Sequence, residues 1–273
     1  AEERLQTFAA ACVSASGMLK VLDDGSELKP YNAAKAALLA LTALQTAKAG
    51  FRGHPDPLGG RGFLKMMTGR TDTVLQPALL HGTYAVMKSY TKPYASCRFT
   101  HPAVEAAIRL RNQVRADEIA AVDVKTYDLA VPGHEYTDIS GSSGARMSIP
   151  YATAAAFLTG KAGLQEFTEE AVRNRDVLAL TRKIRVTADE GMSAAFPEKQ
   201  AAEVRVYTGD GRTLVQRVDY PKGEPENPLT DAEFRARYDG LMAYGGIPET
   251  VSDSVYRMAS DGDAPADCLL AGL

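Results

Sequence analysis

The sequence predicts a mainly α-helical protein with an inserted α+β domain. Apolar residues recur at helical spacing through the first fifty residues, and strand-like patterns begin after about Lys92. A capping-box pattern behind a Pro-rich segment then returns the chain to helix from Thr230. Helices and strands in the middle do not alternate strictly, which argues against a doubly wound parallel sheet.

Two helices are predicted near the N-terminus. The first lies between Glu2 and Leu19 and ends near Gly17. The second begins at Asn32, which can serve as its N-cap, and ends before Gly50, which suits the C′ position. Because this second helix is apolar nearly all round, we expect other helices to cover it, some of them absent from this chain.

The middle of the chain combines predicted helices and strands. Pro102 suits the first turn of an amphipathic helix, because its missing N–H would be unpaired there anyway. Asp210-Gly211 lies between two alternating runs, which predicts a β-hairpin. The other predicted elements are a strand from Ile119 to Val131, a helix from Pro150 to Gly160, a helix from Thr168 to Thr181 with Glu169 and Glu170 in its first turn, and a strand from Arg182 to Asp189.

A polar, Pro-rich segment, Tyr220 to Pro228, is predicted to be a linker. Thr230, with Glu233 three residues later, then predicts a helix that runs through Met242. We therefore place part of a helical domain at residues 1–88, the α+β domain at residues 89–222, and the return to the helical domain at residues 223–273.

The composition excludes several classes of protein. With 31 Lys+Arg against 34 Asp+Glu, the net charge of -3 is too even to attract nucleic acid or anionic membrane at long range. Cys12, Cys97 and Cys268 are far apart and odd in number, which argues against a zinc cage or a disulfide framework and favours a reducing cytoplasm. No apolar run approaches membrane-spanning length, and the N-terminus has no signal-peptide pattern. Any anionic ligand must therefore meet local positive charge.

The densest cluster of reactive side chains lies between Lys92 and His101. It supplies an ammonium, a phenol, a thiol, a guanidinium and an imidazole where a loop becomes a helix. Because helix N-termini favour anions, this segment suits a carboxylate ligand. An ordinary surface loop in which His101 only caps the helix is the alternative at this point.

Other candidate residues are weaker when taken singly. Lys29 precedes a predicted helix, where a solvated lysine is the usual case, and Tyr151 begins an Ala-rich helix, where a core tyrosine is the usual case. No second ligand stands at metal spacing from His54, His81 or His134, so no metal is assigned. Two further patterns also carry no function: the glycines of residues 59–63 lack the context of a nucleotide loop, and Arg109, Arg111 and Arg115 are assigned to a solvated helix face.

Four segments, taken together and in order, resemble the MmgE/PrpD family. They are KPYN from Lys29, GGRGF from Gly59, KPYASCRFTHPAVEAA from Lys92 and SIPYATAAAFLTG from Ser148. The residues from Pro228 to Tyr238 are similar to that family's return to its helical domain. The resemblance implies a large all-helical domain interrupted by an α+β lid domain, with no metal and no organic cofactor.

The resemblance also implies site residues. Lys29, Lys92, His101 and Tyr151 match the family's catalytic segments, and Cys97 stands where its decarboxylases have a catalytic histidine, which argues against a decarboxylase. Met147 replaces a usual phenylalanine. The residues expected to bind substrate are Arg98, Cys97, Asn32 and Ser148, at a cleft between the helical and lid domains.

The implied activity is removal of a proton next to a carboxylate of a small di- or tricarboxylate. We expect a hydro-lyase similar to 2-methylcitrate dehydratases, with an epimerase or decarboxylase of the same family as alternatives. Family members are longer at the N-terminus, where further catalytic residues lie. We therefore expect a partner, an N-terminal helical polypeptide or segment that completes the fold, and a dimer; a non-catalytic binding subunit remains an alternative.

Overall fold

The computed structural model describes residues 1–17, 28–73 and 84–260 of the 273-residue chain. The chain divides into two compact units, one ending at Met87 and the other beginning at Lys88. The helices of the first unit are α1 (Glu2–Ser14), α2 (Leu28–Lys48) and α3 (Phe63–Thr68). No helix within the described ranges is long and apolar enough to cross a membrane.

The second unit contains seven α-helices and four strands among its described residues. In chain order they are α4 (His101–Leu110), β1 (Ile119–Thr126), α5 (Ser142–Met147), α6 (Ile149–Thr159), α7 (Arg175–Thr181), β2 (Ile184–Ala188), α8 (Glu190–Ala195), β3 (Ala202–Thr208), β4 (Thr213–Val218), α9 (Asp231–Tyr244) and α10 (Glu249–Ser260). The protein is thus mainly α-helical with one small sheet. Its division into a helical domain and a lid stays a prediction.

The first unit is a pair of packed helices followed by a short third one. Ala9 of α1 and Ala43 of α2 are buried. Their small side chains let the two helix backbones approach closely. The predicted end of α2 is confirmed: Gly50 has a φ of 87°, and Phe51 N–H donates to Thr46 O over 3.3 Å in a Schellman motif.

Two helix ends in this unit differ from the prediction. Helix α1 ends at Ser14 rather than near Gly17. Helix α2 begins at Leu28, so Asn32 is an interior residue and not the N-cap, and Lys29 lies inside the first turn rather than ahead of it. The reason is Pro30: its missing N–H costs nothing in a first turn, so the helix begins before the proline instead of after it.

The four strands form one mixed sheet in the order β2-β1-β3-β4. Strands β1 and β2 are parallel, and the other pairs are antiparallel. Val122, Val124, Val204 and Val206 are fully buried on the face that packs against α4 and α6. The predicted hairpin is confirmed, and Gly211 in its turn has a φ of 88°.

Helices α4 and α6 cover the inner face of the sheet. Pro102 lies in the first turn of α4, as predicted. Helix α7 begins later than predicted: Asn174 is its N-cap and accepts from the N–H groups of Asp176 and Val177 over 2.9 and 3.2 Å. Glu169 and Glu170 therefore precede the helix, because the Asn174 amide oxygen offers the backbone N–H groups a better-placed partner.

The segment 220–228, predicted to be a linker, is folded against the start of α4. Gly223 O accepts from Thr91 N–H over 2.9 Å, and Gly223 N–H donates to Asn227 O over 2.8 Å. The N–H of Lys222 donates to the buried carboxylate of Glu105 over 2.6 Å. Backbone and side-chain hydrogen bonds thus fix this segment in one position, which a flexible linker would not have.

The helix behind this segment begins as predicted. Thr230 Oγ1 accepts from Glu233 N–H over 3.3 Å, and Glu233 Oε2 accepts from Thr230 N–H over 2.8 Å, which completes a capping box. Hydrogen bonds from Lys222 and Thr230 lower the pKa of Glu233 to about 2. Because Lys222 contacts Glu233 of the capping box, the start of α9 is connected to the 220–228 segment.

We predict that Gly223→Ala destabilises the protein more than Gly211→Ala. Both glycines have positive φ values, 93° and 88°, so an L-residue costs about 1–2 kcal/mol at either position. A Cβ at Gly223 would lie 1.8 Å from Thr91 O, whereas none lies within 4 Å at Gly211. We expect an additional loss of about 1–3 kcal/mol from this overlap.

Urea unfolding of the two variants measures the difference, with Gly211→Ala as the matched control. Equal unfolding free energies for the two variants would mean that the 220–228 segment moves away from Thr91 without penalty.

Candidate functional site

The residues from Lys92 to His101 form a loop that leads into α4. Arg98–Thr100 make one 3₁₀ turn that continues directly into that helix. Cys97, just ahead of the turn, is fixed by its backbone: its N–H donates to Arg146 O over 2.7 Å, and its carbonyl accepts from Thr100 N–H over 3.0 Å. The side chains of Cys97 and Arg98 are therefore positioned by both α4 and α5.

Arg98 is a buried cation, with 5% of its surface exposed. Its Nη2 atom donates to the carboxylate of Glu224 in the 220–228 segment, and its guanidinium carbon lies 4.7 Å above the centre of the Tyr90 ring. The Nε and Nη1 atoms are also buried, and neither has a hydrogen-bond partner among the described residues. Such donors are the ones that a bound anion would satisfy.

Cys97 and His134 form a thiol–imidazole contact. The Cys97 sulfur lies 3.6 Å from His134 Nε2, and His134 is 2% exposed. The His134 Nδ1 atom is 3.0 Å from Pro132 O. Because a carbonyl oxygen only accepts, Nδ1 carries the ring proton and Nε2 presents a lone pair to the thiol.

Aromatic rings surround this contact. The Phe99 ring meets the rings of His134 and Tyr127 edge to face at 5.0 and 5.8 Å, and Tyr127 stacks on Phe196 at 4.8 Å. The Tyr127 hydroxyl is buried without a partner among the described residues. Burial is the main cause of its raised pKa, and the charges of Arg98 and Cys97 also act on it. These two side chains therefore lie near the same hydroxyl.

His101 is a fully buried, neutral histidine. Burial first, and then the positive charges of Arg98 and Lys92, lower its pKa to about 3. Its Nε2 atom lies 3.4 Å from Ser96 O, so Nε2 carries the proton. Nδ1 is buried with no partner in the part of the chain that the structure describes. His101 thus offers a lone pair at neutral pH and not a positive charge.

Lys92 is exposed and lies over the same loop. Its ammonium donates to Ser96 O over 3.3 Å, the carbonyl that also faces His101. Its own carbonyl accepts from Arg237 Nε over 2.6 Å, which connects the loop to α9. The structure therefore brings together Lys92, Arg98, Cys97 and His101, four of the predicted site residues.

Tyr151 and Ser148 lie at the start of α6 and bond to the backbone. The Tyr151 hydroxyl donates to Glu166 O over 2.9 Å, and burial raises its pKa to about 12. Ser148 Oγ accepts from Tyr151 N–H over 3.1 Å as the N-cap and donates to Tyr136 O over 2.7 Å. These bonds hold α6 in place, and the site roles predicted for the two residues stay predictions.

Lys29 and Asn32 lie in α2 of the first unit, whereas the other six predicted residues lie in the second unit. Their convergence with Lys92 and His101 therefore stays a prediction. His81 and Cys268 lie outside the described residues. Within those residues, no group of three or more His, Cys, Asp or Glu side chains is placed to hold a metal ion.

Sequence reasoning missed three residues of this site. Glu224 and His134 are 126 and 37 residues away from the side chains that they contact, and no local pattern pairs residues at such separations. Arg146 contributes the carbonyl that holds Cys97, and its Nε is buried without a partner among the described residues. A charged or imidazole side chain next to a turn can indicate a site residue, but many loops without a function have the same feature.

Comparison with known proteins identifies a family for most of the second unit. A family model described as the MmgE/PrpD C-terminal domain matches residues 94–252, more than half of the 273 residues. The match contains Cys97, Arg98, His101, His134 and Glu224. The resemblance seen in the sequence motifs is confirmed over this range. No curated protein matches the chain.

We predict that His101 makes the protein less stable as the pH falls below about 6.5. The unfolded chain takes up a proton near that pH, but the buried imidazole does so only near pH 3. Between these values the unfolded state binds more protons, so the free energy of unfolding falls by about 2 kcal/mol from pH 7 to pH 5.

Denaturant unfolding at pH 7, 6 and 5 measures this loss. His101→Gln, which keeps a donor for Ser96 O, is expected to flatten the pH dependence. His54→Gln, in an exposed loop, is the control and is expected to leave it unchanged. A His101→Gln variant with the same slope as the parent would contradict the assignment of a neutral, buried imidazole.

Proposed function

The chain belongs to the MmgE/PrpD family, and from this premise we propose that it is the polycarboxylate-binding portion of a lyase or isomerase. The proposed substrate is a small di- or tricarboxylate, and the proposed reaction removes a proton from the carbon next to a carboxylate. A hydro-lyase similar to 2-methylcitrate dehydratases is the first candidate, ahead of an epimerase or a decarboxylase.

The observation that carries this proposal is the buried guanidinium of Arg98. Its Nε and Nη1 atoms have no partner among the described residues, while Nη2 is neutralised by Glu224. A substrate carboxylate fits these donors in hydrogen-bonding capacity. Since the chain as a whole is acidic, with a net charge of -3, affinity for an anion must come from such a local site.

The same group supports the proposed chemistry. Removing a proton next to a carboxylate moves negative charge onto the carboxylate oxygens, and a fixed guanidinium stabilises that charge without reorganising. The imidazole of His101 stays neutral at neutral pH, so it offers a lone pair beside the guanidinium and adds no second positive charge; its pKa of about 3 makes it a weak base. Lys92, on the same loop, is the proposed second cation, and Tyr151 is the proposed acid because its phenol keeps its proton.

Helix α2 supports the proposal that a partner completes the protein. Leu38 and Leu41 are 61% and 62% exposed, and Tyr31 on the same helix is 54% exposed. Apolar side chains this exposed on one helix are characteristic of an interaction surface. The proposed occupant is a helical polypeptide or segment of the same enzyme, in a dimeric assembly, that brings further catalytic residues to the site together with Lys29.

A non-catalytic binding subunit is the second candidate. The observation that favours it is the hydroxyl of Tyr151, which donates to the backbone carbonyl of Glu166 and packs beside Phe167 at 5.8 Å. A proton donor engaged in this way must change its hydrogen bond before it can act on a substrate. The binding role of Arg98 is common to both candidates, so turnover distinguishes them.

We predict that Arg98→Gln/Glu224→Gln weakens the binding of tricarballylate, a tricarboxylate that cannot eliminate water. Both partners of the buried ion pair change together, so neither charge is left unpaired. The loss of charge-assisted hydrogen bonds, about 1.5–3 kcal/mol, corresponds to about 10- to 100-fold weaker binding. Isothermal titration calorimetry measures the affinity.

The control for this measurement is Arg115→Gln/Asp117→Asn, which removes an exposed ion pair of the same type. It is expected to bind tricarballylate as the parent does. Unchanged affinity in the Arg98/Glu224 variant would remove Arg98 from the binding site.

We predict that Lys92→Ala and Tyr151→Phe each lower kcat by about 100-fold or more, because the first removes a cation proposed to stabilise the developing charge and the second removes the proposed acid. The assay uses the assembly isolated with its partner chain and verified by native mass spectrometry, with hydroxy-, amino- and unsaturated polycarboxylates as substrates in D2O. A hydro-lyase gives an unsaturated product, whereas an epimerase returns substrate carrying deuterium.

Lys125→Ala and Tyr207→Phe, both on strands of the sheet, are the matched controls and are expected to keep full turnover. Full turnover in the Lys92 and Tyr151 variants would contradict their roles. If the intact assembly binds tricarballylate but turns over none of the substrates, the second candidate, a non-catalytic binding subunit, is favoured.

A further inference from the structure

The contact between Cys97 and His134 takes no part in the proton removal proposed above, and the inference drawn from it rests on the proposed function only for the role of Arg98 as a carboxylate site. Cys97 is partly exposed, whereas His134 is almost completely buried. The sulfur and Nε2 are 3.6 Å apart, a distance suited to an S–H···N hydrogen bond. A partly exposed cysteine supported by a buried imidazole is an arrangement that activates nucleophilic cysteines.

The surroundings of His134 fix the direction of proton transfer. Nδ1 donates to Pro132 O over 3.0 Å, which leaves Nε2 as the acceptor for the thiol proton. The edge of Phe99 contacts the ring at 5.0 Å, and the N–H and carbonyl of His134 are bonded to Val131 O and Ile149 N–H. Backbone and ring are therefore both held, and the imidazole cannot turn away from the sulfur without breaking these contacts.

A positively charged residue is the chain neighbour of this thiol. Arg98 follows Cys97 in the chain, and both act on the buried hydroxyl of Tyr127. The Nε and Nη1 atoms of Arg98 are buried without partners among the described residues, so the residue that follows Cys97 keeps hydrogen-bond donors for an anionic reagent. Cys97 also precedes the 3₁₀ turn and α4, whose N-terminal N–H groups favour a thiolate.

We propose that Cys97 and His134 form a thiol–imidazole pair that makes Cys97 a nucleophile toward small carboxylates bearing an electrophilic carbon, held by Arg98. In such a step, His134 Nε2 takes the thiol proton and the sulfur forms a bond to carbon. With an α-halo acid, the carbon–halogen bond breaks and halide leaves. With an α,β-unsaturated acid, sulfur adds to the β-carbon, the π electrons move to the α-carbon, and His134 returns the proton there.

The experiment uses alkylation by iodoacetate and by iodoacetamide, two reagents that differ in charge. Cys12→Ser/Cys268→Ser leaves Cys97 as the single thiol among the three cysteines of the chain and serves as the parent. Rates are measured by intact mass at several pH values. His134→Gln tests the imidazole, Arg98→Gln/Glu224→Gln tests the guanidinium, and His54→Gln is the matched control.

We expect His134→Gln to slow alkylation by both reagents at pH 7 by about tenfold or more, because less of the thiol is ionised. The Arg98/Glu224 variant is expected to lower the iodoacetate rate several-fold more than the iodoacetamide rate. His54→Gln is expected to match the parent. Circular dichroism of each variant verifies folding.

An unchanged rate in folded His134→Gln would overturn the pair, and an unchanged ratio of the two rates in the Arg98/Glu224 variant would overturn the role of Arg98. Should a variant fail to fold, the pH profile of the parent decides. A half-maximal rate below pH 8 supports an activated thiol, and one at or above pH 8 overturns it, because an ordinary cysteine titrates near 8.5. None of these measurements depends on turnover.

Discussion

The burial of one guanidinium is the constraint on which the arrangement of the second unit depends. Removing a charge from water is costly unless it is paired and hydrogen-bonded, and Arg98 is only 5% exposed. Its partner, Glu224, comes from a segment 126 residues further along the chain. The close approach of that segment explains why Gly223 stands where a Cβ would overlap Thr91 O, and why Glu105 binds the backbone N–H of Lys222. Much of the polar structure around the start of α4 thus follows from holding one carboxylate against one arginine.

This pairing neutralises Arg98 without using all of its donors. A net charge of -3 gives no general attraction for anions, yet here a cation is buried near a neutral histidine, a cysteine and a tyrosine hydroxyl. Burial and nearby positive charge keep His101 from becoming a second cation. The result is a small region with one buried guanidinium that keeps two unpartnered donors, together with several proton donors or acceptors, and on these groups the proposed carboxylate chemistry rests.

Local sequence signals predicted the elements that local chemistry determines. Pro102 in its first turn, Gly50 after its helix, the Asp210-Gly211 turn and the Thr230 capping box all lie as expected. The predicted start of α2 was wrong because Pro30 is tolerated inside the first turn. The predicted start of α7 was wrong because Asn174 serves as the N-cap. Part of the site could also be predicted from the sequence, since the segment from Lys92 to His101 has five reactive side chains within ten residues. Glu224 and His134 could not, because their roles come from contacts across 126 and 37 residues.

In our proposal, the Nε and Nη1 atoms of Arg98 bind a substrate carboxylate. A crystal structure of the protein with tricarballylate tests it most directly. We predict a carboxylate within about 3 Å of Arg98 Nε or Nη1, the distance of a charge-assisted hydrogen bond, with the Glu224 contact to Nη2 retained. Ordered water alone on both nitrogens, at a tricarballylate concentration that saturates the protein in solution, would contradict the account.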